Sequence, residues 1–433
     1  MHIFFSGIGG TAIGPLAQIA KQAGYEVSGS DKQDSQYVQY LRSHGVENIH
    51  IGQAYDQIAE IHETKPIDWY VYSSAVTIEN PDLPTGQAGA PELKFCQDNG
   101  IKTSKRDELL NQIIEDKQLK LIAVAGTHGK TTTTAMTIWL FKQLGIPVSY
   151  SVGAKISFGE MGAYDPKSEY FVLEADEFDR NFLSFKPYMS IISGVAYDHP
   201  DIYPTEAGYN RAFNDFVCQS EQVVAHPKDL EKIGLAAEPS EYPEILSKLT
   251  LTGEVNRENA ELVIEAVARL TGKQSEVLVE AINQFPGLSR RFEALSDNLY
   301  TDYAHTPEKI RGALQTAQEV AGAKDNVVVV YEGLHNTRQH FIREELAHLF
   351  DDVKKLYIVP SYRAREDENL EDLTPEKLVG LLSKPEKAEP LALDDELKAT
   401  LQKHLEDGDL VLCLSAGGGG SLDEWLRKEF AER

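Results

Sequence analysis

Short apolar runs alternate with longer stretches whose apolar positions recur every three or four residues, and this alternation continues from one end of the chain to the other. "MHIFF" and "YEVSGSD" read as strands, while "GPLAQIAKQAG" and "KRDELLNQIIED" read as amphipathic helices. The same rhythm returns in "KLIAVAG", "EYFVLEADEFD" and "YMSIISGVAYDHPD", followed by the helix "NRENAELVIEAVARLTG". It returns again in "NVVVVYEG", "KKLYIVPSY" and "DLVLCLSAGGGG", after the segment "NLYTDYAHTPEKIRGALQTAQ". Strands alternating with helices predict parallel sheets covered by helices, an α/β fold. Pro286 and Gly287 interrupt the helical pattern in "FPGLSRRFE". The pattern predicts domains over 1–116, 117–288 and 289–433. "NPDLPTGQAGAPE" is rich in Pro and Gly and reads as an exposed loop without chemistry.

At 433 residues the chain has room for three domains of ordinary size. Lys and Arg total 42 against 68 Asp and Glu, a net charge of -26. Such a surface repels phosphate backbones and anionic lipid, which argues against nucleic acid and membrane as partners. Anionic small molecules need placed backbone N–H groups and single cations instead. Cys96, Cys218 and Cys413 lie far apart and predict a reducing compartment. No signal-like start or spanning run is present, so a cytoplasmic location is expected.

"AGTHGKTTTTAM" follows an apolar strand and opens a helix, the order a phosphate cradle requires. Gly126 and Gly129 allow the turn, and Thr127, His128 and Thr132 complete it around Lys130 and Thr131. Lys130 would reach the outer phosphates of a nucleotide, and Thr131 would hold magnesium. Val124 stands where the usual pattern has its first glycine, so the match is to a shortened loop. A second glycine loop, "SGIGGTAIG", sets Gly7, Gly9 and Ala12 in dinucleotide-type spacing, with Asp31 ending the next strand. Its geometry serves any pyrophosphate ligand, NAD or a UDP-sugar alike. The phosphate loop at Lys130 weighs against hydride transfer, which has no use for an ATP-type cradle.

"VLEADEFD" places Glu174, Asp176, Glu177 and Asp179 at the end of an apolar strand. Like charges at that spacing call for solvent or a cation, and magnesium is the natural one at the ligand side of a parallel strand. His199 in "YDHPDIY" follows another apolar strand; it reads either as a metal ligand or substrate contact, or as a buried structural histidine.

In order, "SGIGG", "SSA" with "NP" behind it, "GTHGKT", "EADE", "DHPD", "NRENA", "RRFE" and "DYAHTP" resemble the Mur ligase family, ATP-dependent amide-forming enzymes of bacterial peptidoglycan synthesis. The resemblance spans nearly the whole chain. It implies a Rossmann-like UDP-binding domain, a central P-loop ATPase-type α/β domain and a C-terminal Rossmann-like α/β domain. It implies ATP with Mg2+ or Mn2+, with Thr131, Glu174 and His199 at the metal sites and Lys130, Glu174, His199 and Arg291 as catalytic groups. Asn256 would contact adenine, although Asn ahead of a helical run is also an N-cap. Asp302 would meet the ribose or Lys130. Ser6, Gly7, Gly9, Gly10, Ser30, Asp31, Ser73, Ser74 and Asn80 fall where the family handles the UDP-sugar, and Tyr303, His305 and Arg338 where it handles the amine. The expected partners are UDP-N-acetylmuramate and L-alanine, or a short peptide, for a monomer or homodimer.

The histidine in "GTHGKT" is similar to the muramate–alanine and murein peptide subgroups. His335 replaces one of two arginines usual in the first, Thr306 replaces a histidine, and "YEGLHNT" with "LSAGGGGSLDEWL" leans toward the second. Addition of L-alanine is the expected reaction, and attachment of a recycled tripeptide the near alternative. An NAD-dependent oxidoreductase and a non-catalytic nucleotide sensor are the readings from other classes.

Overall fold

The computed structural model describes all residues except 74–90, 200–201, 237–243, 363–366, 368 and 431–433. The described residues form three sheets. The first runs β3-β2-β1-β4-β5, all parallel, from β1 (His2–Ser6), β2 (Glu26–Asp31), β3 (Ile49–Ile51), β4 (Trp69–Tyr72) and β5 (Lys102–Lys105). The order in which strands are added reverses between β1 and β4, and in open parallel sheets ligands sit beyond the strand C-termini at such a switch. β1 is buried along its whole length, which is why "HIFFS" reads as continuous rather than alternating.

The second sheet runs β11-β10-β6-β9-β7-β8. Its strands are β6 (Lys120–Ala125), β7 (Val148–Ser151), β8 (Gly162–Ala163), β9 (Tyr170–Glu174), β10 (Met189–Ile192) and β11 (Gln222–Ala225). β6 lies between β9 and β10, so the loop that leaves it toward the helix Lys130–Gln143 opens at the sheet centre. β8 pairs antiparallel with β7, a departure from the all-parallel expectation.

The third sheet runs β12-β13-β17-β14-β15-β16, from β12 (Glu293–Ser296), β13 (Leu299–Asp302), β14 (Val327–Glu332), β15 (Lys355–Val359), β16 (Ala388–Pro390) and β17 (Leu410–Ser415). β12 is antiparallel to β13, again unlike the expected pattern, because the tight Asn298 turn joins them directly and a parallel neighbour needs a long crossover. Every residue of β14 and of β17 is buried, consistent with helices on both faces.

The chain divides into two compact units. One contains 1–243 and 262–282, with the first two sheets; the other contains 244–261 and 283–433, with the third. The helix Glu254–Thr271 contributes residues to both. Among the described residues no helix is long and apolar enough to cross a membrane.

Candidate active site

The phosphate loop is fixed by how closely it crosses the end of β10. Gly126 has φ 151° and Gly194 has φ 150°, in the region side chains avoid. A Cβ on Gly126 would collide with Ser193 Oγ, and one on Gly194 with the His128 ring. Thr127 stitches the crossing together: its N–H donates to the Gly194 carbonyl (2.8 Å) and its Oγ1 to the Ala196 carbonyl (2.7 Å). The same Oγ1 lies 2.7 Å from Tyr209 OH. Ser193 Oγ donates to the His128 carbonyl at 2.5 Å.

Lys130, first residue of the helix, donates from Nζ to the Gly126 carbonyl (2.6 Å) and to Glu177 Oε2 (2.7 Å). Burial opposes its charge, but Glu177, Asp176 and Glu174 outweigh burial and raise its pKa. Thr131 Oγ1 donates to Glu174 Oε1 at 2.8 Å, and the Gly153 N–H to Glu174 Oε2 at 2.7 Å. His199, with φ 56°, has Nε2 3.8 Å from Glu177 Oε1 and 3.9 Å from Asp198 Oδ2. Phe178 packs edge-on against its ring at 5.2 Å. Glu177, 1 % exposed, therefore faces both Lys130 and His199. The other acidic residues turn elsewhere: Asp179 pairs with Lys105 at 2.8 Å and Asp176 accepts from the Phe178 N–H. Among the described residues no three His, Cys, Asp or Glu side chains gather as a metal cage.

The first glycine loop is held by β2. The Gly7 and Ile8 N–H groups donate to the Ser30 carbonyl at 2.8 and 2.9 Å, Gly10 N–H to the Gly7 carbonyl, and Gly9 N–H to Asp31 Oδ2 at 2.8 Å. In the second unit, Asp302 accepts from the Phe292 N–H (2.7 Å) and the Ala304 N–H (2.8 Å); burial raises its pKa against the nearby Arg291. Tyr303 lies between two guanidinium groups, Arg290 at 4.9 Å and Arg291 at 4.8 Å from its ring centre. His305 packs edge-on to Tyr303 at 5.1 Å. Arg338 lies in the first turn of the helix Asn336–Leu349, with its guanidinium 5.8 Å from the Phe341 ring centre.

Three family profiles match the chain in succession: "Mur ligase family, catalytic domain" over residues 2–118, "Mur ligase middle domain" over 124–230 and "Mur ligase, glutamate ligase domain" over 290–417. A relative from Carboxydothermus hydrogenoformans, UDP-N-acetylmuramate–L-alanine ligase, is 31% identical, covering 96% of this chain and 94% of its own. The chain is a Mur ligase. A relative of the same name from Agathobacter rectalis is 29% identical over 99% of this chain and 98% of its own. Among solved structures, the UDP-N-acetylmuramate–alanine ligase of Thermotoga maritima superposes with TM-score 0.70 at 23% identity, covering 99% of this chain and 98% of that one. A murein peptide ligase from Psychrobacter arcticus superposes with TM-score 0.62 at 22% identity, covering 100% and 99%. The expected three-domain α/β architecture is the one observed.

This Mur ligase brings Thr131 to Glu174 and Lys130 to Glu177, and places His199 near Glu177 and Asp198. Other predicted site residues make contacts within the scaffold. Thr127 spends its hydroxyl on the scaffold, Asp31 holds Gly9, and Ser6 Oγ donates inward to Glu92 Oε2 at 2.9 Å. Asn256 is no N-cap: the helix starts at Glu254, and the Asn256 amide donates to the Thr252 carbonyl at 2.8 Å. Up to position 90, "NPDLPTGQAGAPE" lies outside the described residues. Its last residues begin the helix Pro91–Asp98, and Glu92 is 1 % exposed. Pro at a helix start was the available signal. Ser73 is half-buried just past β4, whereas Ser74 and Asn80 lie outside the described residues. Sequence reading passed over Arg290, which donates to the Ser415 and Gly417 carbonyls at 3.0 Å and so pins the glycine-rich turn after β17. The "RR" doublet was the signal, but only the fold separates the two arginines.

Proposed function

We propose that this Mur ligase joins L-alanine to the lactyl carboxylate of UDP-N-acetylmuramate at the expense of ATP, giving UDP-N-acetylmuramoyl-L-alanine, ADP and phosphate. The observation that carries the reading is the pairing of Lys130 with Glu177, beside Thr131 with Glu174, inside a phosphate loop that only glycine at 126 and 194 permits. The full-length relatives named for this reaction support it.

A carboxylate is a poor acyl donor, because oxide does not leave. Attack of a carboxylate oxygen on the terminal phosphorus of ATP breaks the bond to ADP and makes an acyl phosphate. The amine nitrogen then attacks the carbonyl carbon, the tetrahedral intermediate collapses, phosphate departs with the C–O electron pair, and the amine gives up a proton. Dense negative charge develops on the phosphoryl group, and Lys130, already positive and half-buried, is placed to meet it. Thr131 and Glu174 suit magnesium, which takes one or two protein oxygens and completes its shell with phosphate and water. When bound, that ion would neutralise phosphate charge. His199 and Glu177 stand next to each other as acceptors for protons and charge near the reacting carboxyl. Tyr303, His305 and Arg338 are our candidates for the amine side, and the glycine loop at Gly7–Gly10 for the UDP-sugar. The domains are proposed to follow 1–116, 117–288 and 289–433, and the enzyme to work in the cytoplasm.

The segments "YEGLHNT" and "LSAGGGGSLDEWL", which lean toward the murein peptide subgroup, support a second reading in which the amine is a tripeptide. Phosphate release from ATP, magnesium and UDP-N-acetylmuramate decides between them. Release with L-alanine supports the first reading. Release only with L-Ala-D-Glu-meso-diaminopimelate moves the enzyme to peptide attachment, and no release with either removes ligase activity altogether.

A further inference from the structure

Glu92 is a buried carboxyl at the hub of the first glycine loop, and the reaction proposed above does not use it. It stands in the first turn of the helix Pro91–Asp98 and is 1 % exposed. Its Oε2 accepts from Ser6 Oγ at 2.9 Å and from Tyr70 OH at 3.4 Å. Ser6 is the last residue of β1, directly before Gly7, and its Oγ accepts in turn from Gln53 Nε2 at 2.8 Å. Among the described residues the other carboxyl oxygen, Oε1, and Ser30 Oγ are without a hydrogen bond of good geometry, although Ser30 lies close enough to the same carboxyl to favour its ionised form. Ser30 is the residue whose carbonyl holds the Gly7 and Ile8 N–H groups.

The groups facing Glu92 can be named element by element. β1 offers Ser6, β2 offers Ser30 and the carboxylate of Asp31, β4 offers Tyr70, and its own helix offers Cys96. The neighbouring helix Tyr55–Thr64 turns His62 to Phe95 instead. Hydroxyl donors and a second acid surround the group, and among the described residues no cation pairs with it. The helix start favours the ionised form, but burial in such surroundings costs an unpaired carboxylate more. Burial, with Asp31 adding to it, pushes its pKa up to about 7 against the hydroxyl bonds.

We propose that Glu92 is a positioning residue for the diphosphate ligand of the first glycine loop, competent when it carries its proton and incompetent when ionised. The protonated acid accepts from Ser6 and donates from its second oxygen to the Ser30 hydroxyl, tying together the ends of β1 and β2 that form the loop. The ionised acid leaves a buried negative charge beside Asp31, beneath a site that must receive two more. Ligand binding therefore raises the affinity of Glu92 for its proton, and by linkage affinity falls as pH rises past neutrality.

The inference rests on the reading that this loop holds a UDP-sugar, and the test separates the two. UDP-N-acetylmuramate has no group that titrates between pH 6 and 8.5, so calorimetric titration of the full chain over that range reports the protein's proton. The wild type is expected to lose affinity above neutrality toward a limit of about tenfold per pH unit, and to take up a proton on binding when two buffers of different ionisation enthalpy are compared. Glu92→Gln, which keeps a neutral planar group, is expected to bind as the wild type does at pH 6, with a flat profile. Parallel profiles in the two proteins overturn the proposal. Should the variant not fold, absence of proton uptake by the wild type at pH 7.5 overturns it equally. Absence of binding by the folded wild type at every pH overturns the UDP-sugar reading instead.

Discussion

Lys130 Nζ and Glu177 Oε2 lie 2.7 Å apart, with the Glu177 side chain 1 % exposed, so the cation assigned to phosphate is held by a buried protein carboxylate. A nucleotide must exchange that partner for its own oxygens. Glu177→Gln removes the competitor while leaving a neutral acceptor. We expect tighter ATP binding, alongside a stability loss of about 3 kcal/mol from the less compensated, half-buried lysine. Denaturant unfolding and nucleotide titration read the two effects, and unchanged or weaker ATP affinity would show that Glu177 does not compete.

Lys130→Ala separates the two glycine loops by function. Phosphate release should fall by at least about 100-fold, the scale of losing one strong electrostatic contact to the transition state. Binding of UDP-N-acetylmuramate, measured by calorimetry, should change less than about twofold, because the Gly7–Gly10 loop is built from β1 and β2 and makes no hydrogen bond to Lys130. Equal loss of both would refute this division.

At Gly194 the φ of 150° and the His128 ring leave no place for a methyl group. Gly194→Ala must shift the loop crossing or distort β10, at a cost of about 1–3 kcal/mol. ATP affinity should drop about tenfold or more while circular dichroism stays that of the wild type. Unaltered affinity would mean that the crossing is not what shapes the cradle.

Asp409 anchors the opposite, N-terminal edge of the third sheet. It is buried, which opposes its charge, but bonds from Lys354 Nζ (2.6 and 2.8 Å) and His404 Nδ1 (2.8 Å) prevail and lower its pKa. A depressed folded-state pKa gives stability that is fully present above the unfolded value, near 4, and is lost as pH falls through the folded one. Asp409→Asn should cost about 2–3 kcal/mol at pH 7, with the deficit shrinking in acid. Urea unfolding at several pH values checks this, and a deficit independent of pH would assign the role to packing instead.

Strand and helix order was legible in the hydrophobic rhythm because buried parallel strands such as "VVVVYE" have no polar face to obscure them. Lys130 and Thr131 stand out in the sequence because a phosphate loop is local, and Glu174 because an acidic run ends an apolar strand. What stayed hidden depends on long-range closure. Ser6 and Glu92 are 86 positions apart, and nothing in either segment announces that they meet. Asp31 shows the converse: its spacing suits a ribose contact, and the sequence does not announce that it holds the Gly9 N–H. The antiparallel β8 and β12 were missed because two- and four-residue edge strands carry too little pattern to register.

Residues 244–261 of one unit precede 262–282 of the other in the chain, so neither is a single uninterrupted stretch. During synthesis every strand of the first two sheets is made by Ala225, yet their unit still lacks the buried side chains of Leu262, Val263, Ile264 and Val267, and the Ala281 carbonyl that accepts from Trp139 Nε1. At about 5–20 residues per second the nascent chain waits several seconds for these pieces. A single protease cut or stop codon after 243 or 261 yields neither unit whole, and one after 282 yields the first only with 244–261 of the second attached. A shortened gene ending after residue 243 would therefore make a polypeptide with two sheets and an open apolar seam, a substrate for chaperones rather than a smaller enzyme.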